Sequence, residues 1–217
     1  VAVVDLEPAR ADEVADALGG GAVAITADVT DPDQARRAIG EAVAGLGRLD
    51  HVVDIVGRAS WTSLDDLDAD TWQADLDLNL TQHLHVARAA LDHLPDGGTI
   101  AVVASVSGLF SAPNHGAYGV AKAGLMALVR TMADEWFGRG IRVNAVAPGA
   151  VRTPRIEQMW ASGDVTMPTG DALRRLALPT DIAGALVFLS SALSQRITGQ
   201  TLIVDGGTTA LFPWLHD

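Results

Sequence analysis

The chain has 217 residues, 48% apolar and 19% charged, which is enough for one domain with a sizeable core and too apolar for a disordered segment. Lys and Arg total 15 against 27 Asp and Glu, a formal charge of −12 that argues against nucleic acid or an anionic membrane as the main partner, since both need basic patches. With no cysteine, disulfides, thiolate catalysis and Cys-based zinc sites are excluded.

Residues 1–4, Val-Ala-Val-Val, read as a buried strand ending in Asp5. Residues 8–18 read as a helix, with Pro8 in its first turn and Gly19-Gly20-Gly21 as its stop. Residues 22–27 form the next strand, and Asp31 caps a helix running to about residue 46, with Pro32 at its first position. Residues 51–56 are a strand ending at Gly57. Residues 70–94 carry one long helical pattern, stopped by Pro95-Asp96-Gly97-Gly98. A strand follows over 99–104, then a long helix over 115–137 with Gly138-Arg139-Gly140 behind it. Residues 141–147 are a strand ended by Pro148-Gly149, and 152–178 are less regular. A helix over 179–193 and a strand over 201–204, before Asp205-Gly206-Gly207, complete the pattern.

Strands alternating with helices predict parallel βαβ units. The strands are continuous apolar runs, as expected where helices cover both faces. The expected fold is α/β, a doubly wound Rossmann-like parallel sheet, in a single domain over residues 1–217. No stretch is long and apolar enough for a bilayer span of about 20 residues, no secretory pattern opens the sequence, and the expected compartment is the cytoplasm. The acidic run 65–70 lacks the Gly and closing Glu of a calcium loop and reads as a solvated loop capping the next helix. His83 and His85, two apart on a helix, diverge, so no metal site is expected. No Gly-x-Ser-x-Gly elbow is present, which removes the commonest α/β-hydrolase reading. Trp61, Trp72, Trp136, Trp160 and Trp214 are read mainly as packing residues.

In such a fold ligands gather at the carboxyl ends of the strands. The polar residues there are Asp5, Asp28, Asp54, Ser105, Ser107 and the segment 148–153. A helix adds Tyr118, the only tyrosine, and Lys122 four residues on, one turn away on the same face. An ammonium near a phenol lowers a pKa that starts at about 10, giving an acid/base usable near neutrality. Ser105 ends the preceding strand, where a hydroxyl can donate to a substrate oxygen. Asn79 lies inside a helical pattern although Asn is a poor helix former. It either faces water or bonds a carbonyl and holds a water leading to Lys122.

In this order and with these spacings, Asn79, Ser105, Tyr118 and Lys122 resemble the catalytic tetrad of the short-chain dehydrogenases/reductases. Asp28-Val29 resembles that family's adenine-contacting pair. Val143-Asn144-Ala145-Val146-Ala147-Pro148-Gly149, followed by Val151 and Thr153, resembles its nicotinamide-side segment. Thr198-Gly199-Gln200 to Asp205-Gly206-Gly207 resembles its last strand, so the likeness runs from Val1 to about Gly207. The resemblance implies reversible hydride transfer between a nicotinamide cofactor and an alcohol/carbonyl pair. Tyr118 would be the general acid/base. Lys122 would lower its pKa and bond the nicotinamide ribose, Ser105 would orient the substrate oxygen, and Asn79 would hold a relay water. Pro148, Gly149, Val151 and Thr153 would meet the nicotinamide end. Residues 152–178 would be the substrate lid, where Met159, Trp160 and Met167 fit an apolar or ring-bearing substrate. Asp5, an acid at a strand end, accepts from ribose hydroxyls and repels a 2′-phosphate, so NAD is expected over NADP. A 3-oxoacyl reductase is the alternative within the family, and Asp5 speaks against its usual NADP. The resemblance also implies a homotetramer, with a dimer second, built on the 70–94 and 115–137 helices and the last strand and helix.

Two features depart from the family. The Gly-rich turn belongs about 20 residues before the ribose-binding acid, which puts it upstream of Val1. Gly19-Gly20-Gly21 follows a helix and precedes a strand, the wrong order for a phosphate loop. The expectation is a missing first strand, turn and first helix of roughly 25–30 residues, a gap in mid-sheet, weak cofactor binding and poor stability. A naturally short, non-catalytic relative acting as an oligomerisation or binding partner is the reading from another class. The second departure is Asp54-Ile55-Val56-Gly57 where the family usually has Asn-Asn-Ala-Gly; Gly57 keeps the close backbone approach to the cofactor.

Overall fold

Five helices start where the sequence supplies a side-chain cap or a proline: Pro8–Leu18, Pro32–Leu46, Ala69–Leu76, Pro154–Ser162 and Pro179–Ser190. The computed structural model describes residues 1–163 and 166–210. Trp214 lies outside them. Strand β1 (Ala2–Asp5) leads into α1 (Pro8–Leu18), which begins at Pro8 and ends at Gly19, in a positive-φ conformation that glycine tolerates. β2 (Val23–Thr26) leads into α2 (Pro32–Leu46). Asp31 caps α2 by accepting from the Asp33 and Gln34 N–H groups, and Gly47 closes it in the left-handed region. β3 (His51–Asp54) precedes α3 (Ala69–Leu76), capped by Asp68 through the Thr71 N–H.

The single helix expected over 70–94 is interrupted. Residues Asp77–Thr81 form a π-helical turn between α3 and α4 (Gln82–Leu91). An extra residue in the turn shifts the backbone ladder, and such turns recur at functional sites. Asn79 sits inside it. β4 (Thr99–Val103), α5 (Gly116–Glu135) and β5 (Arg142–Pro148) follow. The region over 152–178 is more regular than expected, because Thr153 caps α6 (Pro154–Ser162) and a short α7 (Gly170–Arg174) follows. α8 (Pro179–Ser190) and β6 (Thr201–Val204) complete the fold.

All strand pairing is parallel, in two sheets: β1-β2, and β3-β4-β5-β6 in that order. β1 and β3 do not pair, and the edge of β3 borders an apolar groove with Val53 and Ile55 on one side and Ile182, Ala183 and Val187 of α8 on the other. The main core lies between the larger sheet and the α4–α5 layer, with Val52, Ile100, Val102, Leu125, Val129 and Val143 at its centre. A second cluster joins Ala101 and Val146 to Ile182, Leu186 and Leu189 of α8, so helices cover both faces. Arg142, buried at the start of β5, donates to the Leu189, Ser191 and Ile197 carbonyls and the Ser194 hydroxyl, tying the end of α8 to the sheet.

Candidate active site

The carboxyl end of β4 and the first turns of α5 converge. Ser105 lies just past β4 and opens a 3-10 turn, Val106–Gly108, with its Oγ accepting from the Ser107 N–H at 3.1 Å. This turn rests directly on α5. A Cβ on Gly108 would lie 2.6 Å from the Ala123 nitrogen and 2.8 Å from the Lys122 carbonyl carbon, so only glycine permits the approach. Ser105 is thereby brought near Tyr118, whose pKa its hydroxyl acts to lower.

Lys122 is the only lysine in the chain, as Tyr118 is the only tyrosine. Its side chain is among the largest fully buried ones, 2% exposed. The Nζ donates to the Val103 carbonyl at 2.8 Å and lies 5.7 Å from the centre of the Tyr118 ring. Burial lowers the Lys122 pKa to about 8, with the Asp54 carboxylate pulling the other way. Burial raises the Tyr118 pKa, against the pull of the Ser105 hydroxyl, and the Asp75 charge adds to the rise. Desolvation, not the neighbouring ammonium, therefore sets the direction of the phenol's shift.

Asn79 is fully buried. Its Nδ2 donates to the Asp75 and Arg58 carbonyls, both at 3.0 Å, and its Oδ1 accepts from the Arg58 N–H at 2.9 Å. Both amide hydrogens are thus engaged, and Oδ1 keeps one lone pair. The choice the sequence left open resolves toward carbonyl bonding. Gly57 completes the floor: a Cβ there would meet Asn79 Oδ1 at 2.8 Å and Lys122 Nζ at 3.0 Å. The four tetrad positions and Gly57 are brought into one cluster.

Sequence reasoning missed the groups around it. His115, the residue before α5, places its Nδ1 3.0 Å from Ser107 Oγ and stacks edge-on against Trp61 at 4.5 Å and tilted against Tyr118 at 5.3 Å. Burial lowers the His115 pKa, against the pull of Asp75. Trp61 holds a left-handed backbone, φ +60, which costs an ordinary residue energy that surrounding contacts must offset. Asp75 is buried and accepts from Ser60 Oγ at 2.8 Å. The position of His115, one helical turn before Tyr118, was the available signal for it. For Asp75 the signal was its place four residues before Asn79.

The remaining candidates lie at strand ends. Asp5 closes β1, half-buried, with its Oδ1 accepting from the Glu7 N–H at 2.8 Å. Asp28 accepts from the N–H and the hydroxyl of Thr30, at 2.9 and 2.6 Å, so this carboxylate shapes its own turn. Val29 packs on the main core. Gly149 follows β5 against Asp205, Val151 bridges Ala177, and Thr153 accepts from the Ile156 N–H as the α6 cap.

Val103 is the one hydrogen-bond acceptor of Lys122 among the described residues, leaving two of its three N–H donors for a ligand. A buried ammonium with spare donors, beside a backbone stripped to Gly57, fits a hydroxyl-rich ribose lying against the chain. Among the described residues no glycine-rich turn joins a strand to a helix at a pyrophosphate position.

A parallel α/β sheet with a Ser–Tyr–Lys cluster at its carboxyl edge is the arrangement of a Rossmann-type nucleotide-binding fold. The comparisons agree. The family model described as enoyl-(acyl carrier protein) reductase matches residues 1–209. 2-(S)-hydroxypropyl-CoM dehydrogenase 3 of Xanthobacter autotrophicus is 38% identical, over 97% of this chain and 87% of its own length. Cis-4-hydroxycyclohexanecarboxylate dehydrogenase of Sinomonas cyclohexanicum is 37% identical, over 93% of this chain and 83% of its own. The solved structure of a short-chain alcohol dehydrogenase-like protein from Sinorhizobium meliloti superposes with a TM-score of 0.85 at 30% identity, covering 98% of this chain and 87% of that one. The chain belongs to the short-chain dehydrogenase/reductase family, whose members here are dehydrogenases and reductases using a nicotinamide cofactor.

Proposed function

We propose that this protein transfers a hydride between NAD(H) and a secondary alcohol/carbonyl pair, with Tyr118 as the general acid/base. The observation that carries the reading is the gathering of Ser105, Tyr118 and Lys122 over Asn79 and Gly57. The nicotinamide, when bound, takes up or gives back the hydride. The protein's own part is to hold the substrate oxygen and move a proton. Ser105 donates to that oxygen and fixes its distance from the Tyr118 hydroxyl. In the oxidative direction Tyr118 receives the alcohol proton as phenolate, and in the reductive direction it returns one to the carbonyl oxygen. Lys122 stabilises the phenolate and uses its spare N–H donors on the ribose. Asn79 clamps Arg58 and offers its free Oδ1 lone pair to a relay water. Pro148, Gly149, Val151 and Thr153 flank the nicotinamide end, and Asp5, Asp28 and Val29 the adenosine end.

NAD is favoured over NADP because Asp5 presents a carboxylate for the ribose hydroxyls, and the nearest cationic side chain in sequence, Arg10 of α1, is paired to Glu7. The related enzymes named above act on hydroxylated compounds, one of them cyclic by name. Trp61 and His115 beside Tyr118, with Trp160 in the lid over 152–178, favour a ring-bearing or apolar substrate. The family's homotetramer is the assembly we propose, and the cytoplasm the compartment. The test is NADH formation from a panel of cyclic and acyclic secondary alcohols, by the wild type and by Tyr118→Phe. Turnover abolished in the variant supports the reading. Equal turnover in both, or preference for NADPH, overturns it. A non-catalytic role as an assembly partner is the second reading, favoured by the unpaired β1 and β3 edges. Wild-type protein that binds no NADH would select it.

A further inference from the structure

The mechanism above makes no use of a buried ionisable pair beneath the site. Asp54 is 6% and His83 1% exposed. They face each other between β3 and α4, His83 Nδ1 lying 2.8 Å from Asp54 Oδ2. Residues of this kind are rarely so buried without a partner, because removing a charge from water is costly.

The strand register sets Asp54 one residue from the carbonyl that holds Lys122. Asp54 is the partner of Val102 on β4, and the next carbonyl, Val103, is the one that holds Lys122 Nζ. Burial alternates along β3, so Val52 and Asp54 point to the face covered by α4 and α5, the face from which Lys122 comes. The same carboxylate accepts from the Val56 N–H at 3.1 Å and from Gln82 Nε2 at 3.4 Å. It thereby shapes the turn that ends at Gly57, against the lysine Nζ. Asp54 therefore reaches Lys122 by charge and by the shape of this turn.

Resting on the hydride-transfer reading, we propose that Asp54, held in place by His83, is a positioning residue: a buried countercharge that keeps the sole lysine protonated beside Tyr118. Desolvation drives Lys122 toward its neutral form, and Asp54 acts against it. Burial alone would push the Asp54 carboxyl up; His83, Val56 and Gln82 together hold it below its ordinary value. The other titratable groups of the cluster around Lys122 are Tyr118 on α5, His115 before it, and Asp75 on α3, which acts on Tyr118 and His115. His51, at the far end of β3, bonds the Thr99 hydroxyl instead.

Because Lys122 is the only lysine, an NMR titration of its Cε methylene reads this site alone, with or without turnover. Asp54→Asn keeps the shape and an acceptor oxygen. The expected result is a fall in the Lys122 midpoint of about one pH unit, about tenfold in proton affinity. In the alcohol-oxidation assay the rising limb of kcat moves to higher pH while KM for the alcohol holds, a split that loss of packing alone would not produce. His83→Leu strands the carboxyl without its partner, drives it neutral and gives the same displacement. If one variant fails to fold, the other carries the test. A Lys122 midpoint unchanged from wild type in either folded variant overturns the proposal. Absence of wild-type NADH formation overturns the function instead, and the lysine titration still decides the pair.

Discussion

Gly57 and Asn79 lie so close that a single added carbon on the glycine would meet the Asn79 side-chain oxygen at 2.8 Å. The contact joins the end of β3 to the π-helical turn and sets the floor on which Lys122 rests.

Gly57→Ala must displace either Asn79 or Lys122, both buried in a packed interior. Overpacking of this kind costs about 1–3 kcal/mol. Urea unfolding should show that loss, and kcat/KM for alcohol oxidation should fall at least about tenfold, because each 1.4 kcal/mol of misplaced transition-state stabilisation is a factor of ten.

Lys122 makes stability depend on pH in a definite direction. The unfolded chain holds the lysine proton up to about 10.5, and the folded chain only to about 8. Between these values the unfolded state binds more protons, so stability rises with pH through this window; below it the burial penalty is fully present. The gap corresponds to a penalty on the order of 3 kcal/mol. Lys122→Met should flatten the rise, gain about 1–3 kcal/mol at pH 7 and lose turnover. Urea titrations at a series of pH values check the sign.

Tyr118→Phe removes the group we propose as the general acid/base. General acid/base catalysis is worth about 10²–10⁴-fold, and the loss in kcat should fall in that range. Ser105→Ala should cost less and should raise KM as well as lower kcat, because it removes a contact to the substrate oxygen in both ground and transition states.

Asp5→Ser tests the cofactor choice. The ratio of kcat/KM with NAD to that with NADP should fall about tenfold or more, because a neutral hydroxyl no longer repels a 2′-phosphate. An unchanged ratio would remove Asp5 from the adenosine site.

Arg142→Leu should destabilise by about 3–5 kcal/mol in urea unfolding, since it strands buried carbonyls that the guanidinium now satisfies. Kinetic constants of the folded fraction should change little, as Arg142 lies at the amino end of β5, away from the cluster.

Much of this molecule is local chemistry. Pro8 and Pro32 at first helical turns, Asp31 and Asp68 as caps and Gly47 as a stop act through neighbours in sequence, so the α/β alternation is legible from the residues alone. The cluster of Ser105, Tyr118 and Lys122 is legible too, because Tyr118 and Lys122 share one helix face and Ser105 ends a strand. What the sequence could not supply is what distant segments do to one another. Inside the π turn at Asp77–Thr81, Asn79 bonds Arg58, 21 residues away, and a helical pattern carries no sign of that partner. The pairing of Asp54 with His83 needs β3 against α4, and the sequence shows only an unusual acid and a histidine. The same reason governs the two central titrations. The residue types predict an ammonium lowering a phenol, but burial, which belongs to the tertiary structure, raises Tyr118 and lowers Lys122. Desolvation depends on every atom that excludes water from a site, and those atoms come together only when the chain has folded.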